Sequence, residues 1–123
     1  MCIRDSLPTE ATDIKLADAT NTLLLAMYAE VLADSANPAA IDFLAELEKT
    51  QPAESDIIMA RLRWREGLIE DAASALESGY RGYRNDPWPL RPVMRRGLEV
   101  AIAIAAQDRP ELTRRIHLSL IHI

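Results

Sequence analysis

Residues 69–83, IEDAASALESGYRGY, have the most regular pattern in the chain. Their apolar side chains recur every three or four residues, which places them on one face of an α-helix. The members of this face are Ile69, Ala72, Ala73, Leu76, Tyr80 and Tyr83. Glu70 and Asp71 would lie in the first turn, where negative charge interacts favourably with the helix dipole. The segment therefore predicts an amphipathic helix, in which Gly79 and Gly82 are small residues for close packing rather than parts of a ligand-binding loop.

Three further helices are predicted before this segment. One spans about residues 52–66, buries Ile58, Met59 and Leu62, and ends at Gly67, which adopts a left-handed turn without strain. The helix that precedes it in the chain begins with Asn37 as its N-cap residue and Pro38 in its first turn. Its inward side chains would be Ile41, Leu44 and Leu47. The first helix spans about residues 18–34, with Leu23, Met27 and Val31 in one stripe.

Two more helices are predicted after the break at residues 85–89, where two prolines disfavour helix. The fifth spans about residues 90–107. Its residues for close packing are Val93, Met94, Gly97, Leu98, Ala101 and Ala105. The sequence Asp108-Arg109-Pro110-Glu111 resembles a capping box that starts the sixth.

The composition also favours helices. The chain is 49% hydrophobic but only 5% aromatic, and alanine and leucine suit helix packing better than strands. We therefore expect an all-α fold of five to six helices, arranged as antiparallel hairpins.

An internal repeat of about 34 residues resembles the tetratricopeptide family over residues 21–89. In the second unit, the matching positions are Ala60, Gly67, Ala72, Leu76 and Gly79. In the first unit they are Ala40, Leu44 and Pro52, and Ser35 replaces the turn glycine. Arg63 departs from the pattern, because a large apolar residue is usual there, and Pro87 comes about three residues late. The resemblance implies a short right-handed solenoid that acts as a protein-interaction or scaffold segment.

A shorter resemblance concerns residues 83–89, YRNDPWP, and residues 94–98, MRRGL. They are similar to the helical region that follows the catalytic domain in some bacterial spermidine-synthase-like fusion proteins. The alternative function is therefore an accessory helical region of a polyamine aminopropyltransferase. None of that enzyme's catalytic or polyamine-binding motifs can be assigned to residues of this chain.

The two ends resemble translated sequencing adapter. Residues 118–123, LSLIHI, correspond to the mosaic-end adapter of transposon-based libraries, and residues 1–6, MCIRDS, to its reverse complement in another frame. We therefore expect residues 1–6 and 118–123 to be artefacts and residues 7–117 to be a fragment of a longer bacterial helical-repeat protein. Its compartment would be the cytoplasm.

Charge is distributed unevenly along the chain. Residues 1–56 contain 3 basic and 11 acidic side chains, whereas residues 57–123 contain 11 basic and 8 acidic ones. With a net charge of -5 and no dense basic stripe, a nucleic-acid partner is not expected. No apolar run approaches the roughly 18 residues of a membrane helix. The sequence contains no metal-ligand spacing, phosphate loop or nucleophile elbow, so we predict no catalytic residues, cofactor or metal in this fragment.

Arg61, Trp64 and Arg65 are the candidate partner-binding residues. Their i, i+3 and i+4 spacing places them on one helix face, which lines the concave groove in tetratricopeptide arrays. Arginine holds carboxylates in two-point contacts, and tryptophan offers a flat apolar platform, so the expected partner is an acidic protein or peptide. The structural alternative is a solvated arginine pair beside a core tryptophan. Trp88 has the same two interpretations, as a packed aromatic or an exposed anchor.

Self-association is the remaining expectation. A cut sixth helix would leave part of the fifth uncovered at Val93, Leu98 and Ala105, and such apolar patches promote association.

Overall fold

The computed structural model describes residues 22–85 and 89–121, which form α-helices joined by short turns. The helices are α1 (Thr22–Asp34), α2 (Ala40–Leu47), α3 (Pro52–Arg65), α4 (Ile69–Tyr83), α5 (Arg91–Ala105) and α6 (Pro110–Leu120). No strand occurs in these two ranges, so the all-α prediction is confirmed. Trp88 lies outside the described residues.

A left-handed residue follows the first helix of each pair. After α3, Gly67 has φ 82° and the Leu68 amide donates to the Arg63 carbonyl at 2.8 Å. After α1, Ala36 has φ 55° and the Asn37 amide donates to the Leu32 carbonyl at 2.9 Å. These bonds satisfy carbonyls that the helix ends leave without partners. The turn position after α1 is thus occupied by Ala36, one residue beyond the predicted Ser35.

Both predicted helix starts differ from the structure. Asn37 Oδ1 accepts a hydrogen bond from the Ala39 amide at 2.9 Å, but this bond lies in the turn before α2, whose N-cap residue is Ala39 and has no side-chain capping bond. The capping box at Asp108 is wrong. Asp108 has φ 57° and occupies the left-handed turn after α5, while the N-cap residue of α6 is Arg109, which makes no side-chain capping bond.

Helices α3 and α4 form an antiparallel hairpin with little space between them. A Cβ on Gly79 would lie 2.6 Å from Ile57 Cδ1, and a Cβ on Gly82 would lie 3.2 Å from the Ala53 Cβ. Since residue 53 faces 82 and residue 57 faces 79, the two chains run in opposite directions. The prediction that these glycines serve packing is confirmed.

Helices α3 and α5 lie side by side and run parallel, and so do α4 and α6. On α3, Glu54 Oε2 accepts from the Leu90 amide at 2.9 Å, and farther along Arg61 pairs with Glu99 of α5 at 2.9 Å. The corresponding ion pairs between α4 and α6 are Glu70–Arg109 (3.7 Å) and Glu77–Arg115 (3.0 Å). Helix α1 packs on both α2 and α3.

One apolar core runs through all six helices in the described ranges. Its largest fully buried side chains are Tyr80, Phe43, Leu32, Leu44, Leu47, Ile58, Leu62, Leu76, Ile104 and Leu112. The whole predicted face of α4 is buried or packed against this core, as expected.

The apolar stripe predicted on α1 does not face the core, and the inward face predicted on α2 is partly wrong. On α1, Leu23, Met27 and Val31 are 50–51% exposed, and the buried face consists instead of Leu25, Ala26, Ala29, Leu32 and Ala33. Almost every residue of α1 is apolar, so periodicity alone does not select the face that packs. We call Leu23, Met27 and Val31 the α1 stripe. On α2, Ile41 is exposed and Phe43 takes its place in the core.

On α5 the packed face is also rotated relative to the prediction. Val93 and Gly97 are buried as expected, and Val100 and Ile104 join them. Leu98 and Ala105 are exposed. The exposed apolar patch predicted on α5 therefore includes Leu98 and Ala105 but not Val93.

Candidate partner-binding surface

Arg61, Trp64 and Arg65 meet at the end of α3, as their spacing predicts. Together with Glu99 and Val100 of α5 they line a shallow cavity of about 160 Å³. Trp64 is half-buried and packs against the core, so it is neither a free anchor nor a fully interior residue.

Arg61 is held by acceptors of its own chain. Its Nε donates to Asp34 of α1, its Nη2 donates to Glu99 at 2.9 Å, and its Nη1 donates to the Arg96 carbonyl at 3.3 Å. The side chain is only 14% exposed. Burial lowers the pKa of Arg61, but the hydrogen bonds to Asp34 and Glu99 raise it by more, so the pKa lies above its usual value. Arg61 therefore joins α1, α3 and α5 as a permanent cation.

Arg65 is the more accessible of the two arginines. Its side chain is half-exposed, and its Nη2 lies 3.8 Å from Oδ1 of the Asp34 carboxylate. That contact is too long for a hydrogen bond of normal geometry. A carboxylate from solution would thus meet little competition at Arg65, whereas at Arg61 it would have to displace Asp34 or Glu99.

A second ion pair on this side of the molecule was not anticipated from the sequence. Glu30 of α1 is buried, and its two oxygens accept from Nε and Nη2 of Arg96 in a forked contact, with Nε–Oε2 at 2.7 Å. The hydrogen bond to Glu30 is the main reason that the pKa of Arg96 is raised. A carboxylate between Ala29 and Val31 in an otherwise apolar helix was the sequence signal for this pair.

A different concave surface lies between α5 and α6. Two adjoining cavities of about 290 and 260 Å³ share Leu98 and Leu120. Their other lining side chains are Tyr80, Arg91, Met94, Arg95, Ala101, Ile102, Ala105, Thr113, Ile116 and His117. We call this surface the α5–α6 groove. It is apolar along its length, with Arg91 and Arg95 at one end.

A buried tyrosine lies at the base of the α5–α6 groove. Tyr80 is fully buried, and its hydroxyl has no hydrogen-bond partner among the described residues. It lies against Gly97, where an added Cβ would approach the hydroxyl oxygen to 2.8 Å. Burial raises the pKa of Tyr80, since an ionised phenolate would lose its hydration there.

Within residues 22–85 and 89–121, no three histidine, cysteine or carboxylate side chains are grouped so that they could hold a metal ion. No helix in these ranges combines the length and apolarity needed to cross a bilayer. Comparison of the chain with known protein families, curated proteins and solved structures finds no match.

Proposed function

We propose that the chain is a non-catalytic helical-repeat segment that binds an acidic protein or peptide and serves as a scaffold module of a larger protein. The observation that carries this proposal is the cavity at the end of α3, where a half-exposed arginine lies beside a half-buried tryptophan. Arg65 supplies the charge that pairs with a carboxylate of the partner, and Trp64 supplies apolar contact area. Arg61 holds the neighbouring carboxylates of Asp34 and Glu99 in place.

The same proposal includes a tetratricopeptide-like stacking of the hairpins into a short right-handed solenoid. Two features support it. Helices α3 and α5 run parallel, as do α4 and α6, in the manner of consecutive first helices and consecutive second helices in a stack of hairpins. In addition, the first helix of each pair ends at a left-handed residue, namely Ala36, Gly67 or Asp108.

The binding surface is tested by titrating the 123-residue chain with a short fluorescent peptide of alternating glutamate and leucine that ends in a free carboxylate. Arg65→Ala should weaken binding by about three- to tenfold, equivalent to 0.7–1.4 kcal/mol for one partly exposed ion pair. Higher salt should weaken the wild type as well.

Arg84→Ala is the matched control, because Arg84 is exposed and lies outside the cavity. It should leave the affinity unchanged. Equal affinities for the wild type, Arg65→Ala and Arg84→Ala would show that the peptide does not use this cavity.

The accessory-region alternative is distinguished by the coding sequence of the complete gene. Further units of about 34 residues would support the scaffold, and an upstream nucleotide-binding-like α/β domain would support the aminopropyltransferase accessory region.

A further inference from the structure

The α1 stripe and the α5–α6 groove are apolar surfaces of similar length. Leu23, Met27 and Val31 follow one another at i, i+4 and i+8, so they form a single ridge about 12 Å long. Along the groove, Leu98, Ile102 and Ala105 span a similar length of α5, and Ile102 is 69% exposed. Ridges of this kind pack into grooves between the side chains of neighbouring helices.

The two surfaces also carry opposite charge. Residues 22–50, which include α1 and α2, contain five carboxylates and one lysine. Residues 89–121, which include α5 and α6, contain six arginines and three carboxylates. Glu30 and Arg96 neutralise each other within the chain, and the net charges that remain, -3 and +2, still favour contact between unlike ends over contact between two identical ends.

Within one chain, α1 meets α5 through Arg96, whose side chain donates to Glu30. Leu98 lies two residues farther along α5, about 200° around the helix, so the groove is on the face of α5 that points away from α1. Within one chain the stripe therefore does not reach the groove, and a contact between them requires two copies.

We propose that the α5–α6 groove receives the α1 stripe of a second copy, so that chains associate head to tail. In this contact the α1 stripe packs on the part of the groove between Leu98 and His117. This contact is heterologous, because it joins two different surfaces. An assembly of any length therefore has one unoccupied stripe at one end and one unoccupied groove at the other. The inference goes beyond the proposed function and does not depend on peptide binding at Arg65.

Sedimentation of the full chain at rising concentration tests the proposal, with Met27→Lys in the stripe and Ile102→Glu in the groove. Both positions are more than half exposed, so both variants should fold. The weight-average mass of the wild type should rise with concentration and fall again with salt. Each variant alone should remain monomeric, because each lacks one of the two surfaces.

The decisive sample is the equimolar mixture of the two variants. Met27→Lys retains a groove and Ile102→Glu retains a stripe, so the mixture should give a dimer that grows no further. Leu68→Glu, at an exposed apolar residue outside both surfaces, should associate like the wild type. A monomeric wild type, a mixture that stays monomeric, association of Met27→Lys alone, or loss of association in Leu68→Glu would each overturn the proposal.

Discussion

Replacing Arg61 by alanine should destabilise the fold far more than the same change at Arg65, although both arginines lie on one face of α3. Arg61 donates to Asp34, Glu99 and the Arg96 carbonyl, and thereby links α1 and α5 to α3. Arg65 has one long ion pair to the same Asp34.

The expected loss follows from these contacts. Asp34 and Glu99 are 48% and 63% exposed, so water replaces Arg61 around them and each contact contributes about 0.5–1 kcal/mol. The hydrogen bond to the Arg96 carbonyl contributes about 1 kcal/mol. Packing of the buried aliphatic stem adds a similar amount, so Arg61→Ala should cost about 3 kcal/mol. Arg65→Ala should cost less than about 0.5 kcal/mol.

Urea unfolding followed by circular dichroism at pH 7 measures the difference. Arg61→Lys is an informative control, since lysine keeps the charge but cannot reach three acceptors with a planar fork, and it should recover less than half of the loss. If Arg61→Ala and Arg65→Ala both cost less than about 0.5 kcal/mol, the side-chain network does not hold the three helices together.

Three further predictions concern single side chains, each measured by urea unfolding. Tyr80→Phe removes a buried hydroxyl that has no partner among the described residues, and should stabilise the fold by about 1 kcal/mol; a loss of stability would mean that the hydroxyl is satisfied. Burial raises the pKa of Asp56 despite its hydrogen bond from Ser78. Its ionised form is therefore penalised in the fold, so Asp56→Asn should stabilise at pH 7, and the gain should vanish as the pH falls through the raised pKa towards 3.8. A gain that persists at pH 3 would refute this cause. Ala36→Gly should stabilise by about 1 kcal/mol and Gly67→Ala should cost about as much, because both positions are left-handed; effects of the same sign would contradict the turn assignment.

Helix positions were predictable where local signals agree. Residues 69–83 have both a regular stripe and flanking turn residues, and α4 has these bounds. For α1 the chain offers apolar residues on every side, so the choice of packed face depends on α2 and α3, which a local pattern does not contain. For α5, the buried face turns towards Ile57 and Tyr80, where only Gly97 leaves enough space.

For the candidate site, the sequence predicted which side chains lie close together but not which partners they have. Spacing on one helix correctly brings Arg61, Trp64 and Arg65 to one cavity. The hydrogen-bond partners of Arg61 are 27 to 38 residues away in the chain, on α1 and α5. The sequence therefore did not distinguish the arginine whose charge is satisfied within the chain from the one that remains accessible.

The forked contact between Glu30 and Arg96 has a consequence for cooperativity. In arrays of repeats each unit contacts only its neighbours, and unfolding can begin at one end while the other end stays folded. Glu30 and Arg96 are 66 residues apart and belong to the first and third helix pairs, so this contact passes over the central pair. Fraying of either terminal pair breaks the contact and exposes a charge that was paired. The first and third pairs should therefore lose their structure together.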